Sequence, residues 1–380
     1  MKVLIVFNHP APYKVKLFNE LSKKLDLFVI FERKYAKDRP ANFYNEKKFE
    51  FKNIVYERGY LCRENSFTFK LKNYIKQNHQ NYDLIVMNGY ATISEQIAIN
   101  YMIKHKIPYI LYINGGVIRE KENKLIKKLK RRYISNAIGY LSPNEKASLY
   151  LTYYGANKSI IHYPYCTYFE HDIKNGSMNE KQRNELREKY GLPKGKLFIS
   201  ASNFIKRKNN FELFDVFKDK DCSLVLYGDG PLKKQYEKYL VKNNIKNVYL
   251  KDFVFSNELM DIMSCCDCFI TLSKEDIYGH TTLEAFASGI PVISSNKVVS
   301  SLTVIKDYEN GFLVGSKKEI DYAIEKIDYS VMSKNCIETA KQFSIEKEAD
   351  VITEGLKGFL KWESHILQPL KINKNIQNRQ

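Results

Sequence analysis

Thr271-Leu272-Ser273-Lys274-Glu275-Asp276-Ile277-Tyr278-Gly279-His280-Thr281-Thr282-Leu283-Glu284-Ala285-Phe286-Ala287-Ser288-Gly289-Ile290-Pro291-Val292 reads as a strand end, a turn, a helix and the next strand. The strand runs out into acidic residues, Gly279 permits a close backbone approach, and a helix starts near His280–Thr282 before Ser288-Gly289 stops it. A helix start of this kind turns free N–H groups and the positive end of its dipole toward an anion, and a diphosphate fits that description. Asp276 precedes the helix, and Glu284 is expected about two turns along it, where an inward carboxylate accepts hydrogen bonds from ribose hydroxyls.

The same alternation extends along the whole chain. Strands are expected at Val3–Phe7, Leu27–Phe31, Leu84–Asn88, Tyr109–Ile113, Ile138–Ser142 and Ile160–Tyr163. A second set lies at Leu197–Ser202, Ser223–Tyr227, Val248–Leu250, Cys268–Leu272, Pro291–Ser294 and Phe312–Val314. Strands alternating with helical stretches predict an α/β protein with parallel sheets covered by helices. We expect two Rossmann-like domains facing an interdomain cleft, residues 1–170 and 171–344, joined by a hinge near Thr167–Asn175. A C-terminal helix over about 345–362 is expected to pack back on the first domain, leaving 363–380 as a mobile tail.

With these landmarks in place, the chain resembles the retaining GT-B glycosyltransferases, family 4 above all. That family carries Glu-x7-Glu followed by Ala-x-Ala-x-Gly-x-Pro-Val, and Leu283-Glu284-Ala285-Phe286-Ala287-Ser288-Gly289-Ile290-Pro291-Val292 matches its second half. The first acidic position is Asp276, so this chain has Asp-x7-Glu, with Glu275 one position out of register. Ser202-Asn203-Phe204-Ile205-Lys206-Arg207-Lys208 resembles the family's Gly-Arg-x-x-x-x-Lys loop: Lys208 matches the lysine, Asn203 replaces the arginine, and Lys206 or Arg207 stands ready to compensate. Tyr227-Gly228-Asp229-Gly230-Pro231 matches a strand followed by Gly-x-Gly-Pro, Asp252-Phe253-Val254 occupies the loop that frames the base in relatives, and Asn310-Gly311-Phe312-Leu313-Val314 resembles a further landmark.

The resemblance implies a transferase for hexosyl or N-acetylhexosaminyl groups, moving a sugar with retention from a nucleotide diphosphate, a UDP-sugar first, to a surface polysaccharide or lipid-linked oligosaccharide. It implies catalytic roles for Asp276, Lys208 and Glu284, and donor contacts at Asn203, Arg207, Gly228, Gly230, Phe253, Val254, Tyr278, Gly279, His280, Thr281 and Thr282. On the acceptor side it points to His9, Asn114 and Gly115, in loops after the strands Val3–Phe7 and Tyr109–Ile113. The donor is a substrate; no cofactor and no metal are expected. The changed residues Asp276, Asn203 and Asn114 also fit a catalytically silent protein that binds sugar nucleotides or serves as a scaffold.

Composition bounds the rest. The 380 residues are 44% hydrophobic and 27% charged, enough for two packed domains. No apolar run reaches the roughly 18–20 residues of a membrane span, and the short run Val3–Phe7 does not read as a signal peptide. Seven scattered cysteines suit a reducing cytoplasm, and the Cys265-Cys266-Asp267-Cys268 cluster, with no second Cys or His pair at zinc spacing, reads as core. A net charge of +18 asks for an anionic partner. No nucleic-acid motif accompanies it, so nucleic acid is not expected. Arg119–Arg132 contains eight basic and two acidic residues, with Leu125, Ile126 and Leu129 at helical spacing. Two readings stand: a peripheral contact with an anionic membrane at the inner face of the cell, in which Lys127, Lys128 and Lys130 take part, or a helix packing its apolar stripe on its own sheet.

Overall fold

The computed structural model describes residues 1–35, 44, 48–56, 60–62, 65–113, 115–116, 118, 121–162, 173, 178–276 and 279–376, with side chains except at 60–62, 65–66, 162, 256 and 361–376. The chain divides into two compact units: Met1–Cys166 with Ile345–Gln380, and Thr167–Ser344.

In the first unit the elements run β1 (Lys2–Phe7), α1 (Pro12–Ser22), β2 (Asp26–Phe31), β3 (Lys52–Val55), β4 (Tyr60–Cys62), β5 (Asn65–Phe67), α2 (Lys70–Asn78), β6 (Leu84–Met87), α3 (Ile93–His105), β7 (Ile110–Tyr112), α4 (Lys124–Ser135), β8 (Gly139–Leu141), α5 (Glu145–Tyr153) and β9 (Ile161–His162). Among the described residues these make one seven-stranded parallel sheet in the order β3-β2-β1-β6-β7-β8-β9, with β4 and β5 as a separate antiparallel pair. A central parallel strand is covered on both faces, which is why Val3 to Phe7 is an unbroken apolar run and wholly buried. β1 lies between β2 and β6 with Val3 opposite both Leu27 and Leu84.

The second unit runs α6 (Glu180–Lys189), β10 (Leu197–Ala201), α7 (Asn210–Phe217), β11 (Ser223–Tyr227), α8 (Lys233–Lys242), β12 (Val248–Lys251), α9 (Ser256–Ser264), β13 (Cys268–Thr271), α10 (His280–Ala287), β14 (Val292–Ser295), α11 (Val299–Val304), β15 (Gly311–Val314), α12 (Lys317–Lys326) and α13 (Tyr329–Ala340). Its six strands are parallel, in the order β12-β11-β10-β13-β14-β15. The strand order reverses between β10 and β13, as it does between β1 and β6. Loops leaving the carboxyl ends of such a pair diverge and open a crevice there. Leu283, Ala285 and Phe286 bury α10 against this sheet, each large apolar side chain stabilising by roughly 1.5–3 kcal/mol.

The chain then returns to the first unit as α14 (Ile345–Ile376). Asp350 pairs with Lys24 at 2.9 Å, and Gly139 leaves the space that the Phe359 ring fills, since a Cβ there would stand 2.6 Å from it. The helix continues past the expected stop near 362, and Ile366, Leu367 and Leu370 continue its apolar spacing. Cys265, Cys266 and Cys268 are free thiols in the core of the second unit.

Candidate functional site

The site is assembled where the second sheet reverses. After β10 the chain makes a tight turn through Lys206–Lys208, and after β13 it runs through Glu275 and Asp276 to the start of α10. Side-chain contacts of Arg207 and Lys208 help to join these loops. Lys208 Nζ donates to Asp276 Oδ2 as a salt bridge, Arg207 Nη1 lies 3.8 Å from Asp276 Oδ1, and Arg207 Nη1 donates to the Glu275 carbonyl at 2.5 Å. Asn209, left-handed at φ 58°, turns the chain after Lys208, and its side-chain amide donates to the Leu272 carbonyl at 3.2 Å.

Asp276 is held from behind as well. Its N–H donates to the Lys297 carbonyl, its carbonyl accepts from the Val299 N–H at 2.8 Å, and it forms a lone parallel bridge with Val298. The side chains of Lys208 and Asp276 are each 16% exposed, against 44% for Arg207. Burial pushes the Asp276 pKa up, but the Lys208 charge and hydrogen bond, with Arg207 and the Gly279 N–H, outweigh it and hold the carboxyl below its ordinary value. The Asp276 carboxyl is thereby favoured in its charged form.

Gly279 opens α10 in the left-handed region at φ 46°, and a Cβ there would stand 2.2 Å from Ser300 Oγ. Only glycine fits, and Ser300 Oγ uses the space to donate to the Gly279 carbonyl at 3.1 Å. His280, Thr281 and Thr282 form the first turn of α10, with Thr282 buried against Ser301 at 2.9 Å. Because the helix starts at His280, Glu284 lies about one turn in, not two; it is partly exposed, on the same helical face as His280.

Gly228 and Gly230 serve a packing need. A Cβ on Gly228 would stand 2.0 Å from the Ser202 carbonyl oxygen, and one on Gly230 2.8 Å from the Phe204 N and O, so the turn after β11 can rest on Ser202-Asn203-Phe204 only without side chains. Asn203 is exposed at the tip of that loop. Phe253 and Val254 follow β12, with Phe253 exposed and edge-on to Phe255 at 5.5 Å. The residues expected to hold a donor thus follow the carboxyl ends of four neighbouring strands, β12, β11, β10 and β13. Tyr278 and Asn114 lie outside the described residues.

The acceptor-side residues belong to the first unit. His9 follows β1, with Nδ1 3.1 Å from Tyr44 Oη, and Gly115 follows β7. The same unit holds buried polar groups that sequence reasoning missed. Glu32, at the end of β2, accepts from Thr92 Oγ1 at 2.9 Å; Thr92 and Glu95 cap α3 reciprocally; both carboxylic acids are buried. Burial, then the neighbouring Glu32 charge, pushes Glu95 well up. Thr92-x-x-Glu95 is a legible capping box, but nothing in the sequence ties it to Glu32. Lys14, also buried, donates to Tyr112 Oη at 3.0 Å, and that hydroxyl lies 3.5 Å from Glu348 Oε1 on α14. Among the described residues no group of three or more His, Cys, Asp or Glu is placed to hold a metal ion.

Two doubly wound units, each a parallel sheet flanked by helices, make up the GT-B fold. The model of the family described as glycosyl transferases group 1 matches residues 182–349, nearly the whole of the second unit. An uncharacterized glycosyltransferase of Methanocaldococcus jannaschii is 30% identical over 175 residues, 45% of this chain and 48% of that one. The N-acetyl-alpha-D-glucosaminyl L-malate synthase of Bacillus anthracis is 27% identical over 180 residues, 44% and 46% of the two chains. The chain spans about half the length of the curated relatives it matches. In structure, Anabaena HepE in complex with UDP superposes with a TM-score of 0.73 at 15% identity, over 94% of this chain and all of that one. That likeness extends the fold across both units.

Proposed function

We propose that this chain is a retaining glycosyltransferase that moves a hexosyl or N-acetylhexosaminyl group from a nucleotide diphosphate, UDP first, to a surface polysaccharide or lipid-linked oligosaccharide. One observation carries the reading: Lys208 and Asp276 pair across the two loops of the second unit's strand-order reversal, beside the start of α10. Two relatives support it by name, a glycosyltransferase and an N-acetyl-alpha-D-glucosaminyl L-malate synthase.

The donor diphosphate competes with Asp276 for Lys208. Once it takes the ammonium, with Arg207 beside it and the α10 N–H groups below, the freed Asp276 carboxylate accepts hydrogen bonds from the transferred sugar. Glu284, one turn along, holds the ribose; Tyr278, His280, Thr281 and Thr282 shape the diphosphate site; Asn203, Phe253 and Val254 border the nucleoside. Cations and amides fixed before the reaction stabilise the departing diphosphate without reorganising, the largest lever such a site has, and in this proposal they do so without a metal. The leaving diphosphate takes the acceptor hydroxyl's proton on the face it departs from, which retains configuration. His9, Asn114 and Gly115 contact the acceptor.

A thermal-shift panel of nucleotide sugars, followed by an assay for released nucleotide, tests the reading. The true donor raises the unfolding temperature by mass action, about 2.7 kcal/mol of stabilisation at a hundred times its Kd. Lys208→Ala removes both the shift and the release. If no nucleotide sugar shifts the protein, or Lys208→Ala responds like the parent, the proposal fails; a shift without nucleotide release makes the chain a sugar-nucleotide binder.

A further inference from the structure

α4 carries six basic residues and no acid along its length, with Lys124 in its first turn. A cation at the positive end of a helix dipole is unfavourable, and the Asn123 side chain, accepting from the Leu125 N–H, caps that end.

Of its apolar residues only Tyr133 and Ile134 are buried. Leu125, Ile126 and Leu129 are 72%, 50% and 45% exposed, so the expectation that this stripe packs on its own sheet is wrong. Single exposed leucines are ordinary, but three within about one turn of the most basic helix form a patch. The inward cations are committed: Lys130 Nζ bonds Glu122 and, at 3.3 Å, Tyr154 Oη, while Lys127 Nζ donates to Tyr153 Oη at 2.7 Å and lies 4.6 Å from that ring's centre. Lys127 and Lys130 therefore anchor the helix and do not serve an outside partner. Lys124, Lys128 and Arg131 are exposed cations near the leucines; Arg132, also exposed, donates through Nε to Asn100 Oδ1 at 3.1 Å, and Arg119 lies outside the described residues.

We propose that α4 docks on an anionic lipid surface, with Leu125, Ile126 and Leu129 entering the headgroup–acyl boundary and Lys124, Lys128 and Arg131 reaching phosphate. A flat strip pairing apolar side chains with cations matches a bilayer surface, where the long basic side chains keep their charge among headgroups as their stems follow the leucines down. This surface is independent of which sugar the second unit handles.

The test is flotation of the full chain with phosphatidylcholine vesicles, with and without phosphatidylglycerol, across a salt series. The parent should bind only the anionic vesicles, less tightly as salt rises. Lys124→Gln/Lys128→Gln/Arg131→Gln should weaken that binding by on the order of a hundredfold, as expected for losing three cations near headgroups. Leu125→Ser/Leu129→Ser should weaken it about tenfold and leave the salt dependence unchanged. All variants should keep the parent's unfolding temperature and nucleotide response, which separates this test from that of transfer. Equal retention on neutral vesicles, parent-like binding by the triple variant, or tight binding of an acidic polypeptide with none to vesicles would overturn the proposal.

Discussion

The two sheets reverse their strand order in the same way, yet their reversal points are furnished differently. In the second unit, Lys208 and Asp276 meet at a partly exposed pair whose charges balance. In the first, the ionisable groups are buried: Thr92 links Glu32 and Glu95, and Lys14 approaches Glu348 through Tyr112. The topology settles where a ligand can bind, and solvent access settles what the side chains there can do. A balanced pair within reach of water can exchange a partner for a ligand, whereas a sealed one holds elements in place.

The contrast breaks most visibly if Asp276 proves dispensable. Asp276→Asn should cut kcat/KM for nucleotide release by a hundredfold or more, the scale of a lost charge at a site preorganised for transfer, with little effect on unfolding temperature. A variant as active as the parent would put the second unit's pair in the same structural class as the first unit's.

Glu348 sharpens the other half. Burial, only partly offset by Lys14 and the Tyr112 hydroxyl, pushes its pKa up to about 8, and its Oε2 has no hydrogen-bond partner among the described residues. A folded-state pKa above the unfolded one favours folding while the group stays protonated. Its contribution is therefore complete below pH 4.5 and is lost as pH rises through about 8. Denaturant melts at pH 5 and pH 8 should show the parent losing on the order of 2–3 kcal/mol more than Glu348→Gln over that interval. Parallel pH profiles for the two proteins would mean that Glu348 is not sealed in.

The smallest effect belongs to Thr92. Thr92→Ala removes a helix cap and the hydrogen bond to Glu32 and should cost about 1–2 kcal/mol in chemical denaturation, with Thr92→Ser recovering most of it. Catalytic turnover should be unchanged, since this contact acts on the scaffold.

The expected strands all appear within one or two residues of their sequence positions, because most of them are short apolar runs rich in β-branched and aromatic residues and bounded by turn residues. β3 and the β4–β5 pair escaped notice. β3 lies at the sheet's edge and is only partly buried, so its side chains are mixed and leave no such run. At the site, the Gly279–Glu284 turn and Lys208 were legible because they sit in short local motifs. Asn209, Ser300 and the backbone of Lys297 to Val299 were not, since each reaches Gly279, Asp276 or the β13 loop from a distant part of the chain.

Read alone, the amino-acid order already determined that this is an alternating two-unit α/β chain, where its glycines must bend and which loop carries the cations, since propensity and periodicity are properties of neighbouring residues. Only the tertiary structure decided that Lys208 neutralises Asp276, that Glu348 loses its water and that the leucines of α4 keep theirs. Burial and charge pairing depend on which remote segments close around a side chain, and that is set by packing across the sheet, not by local order.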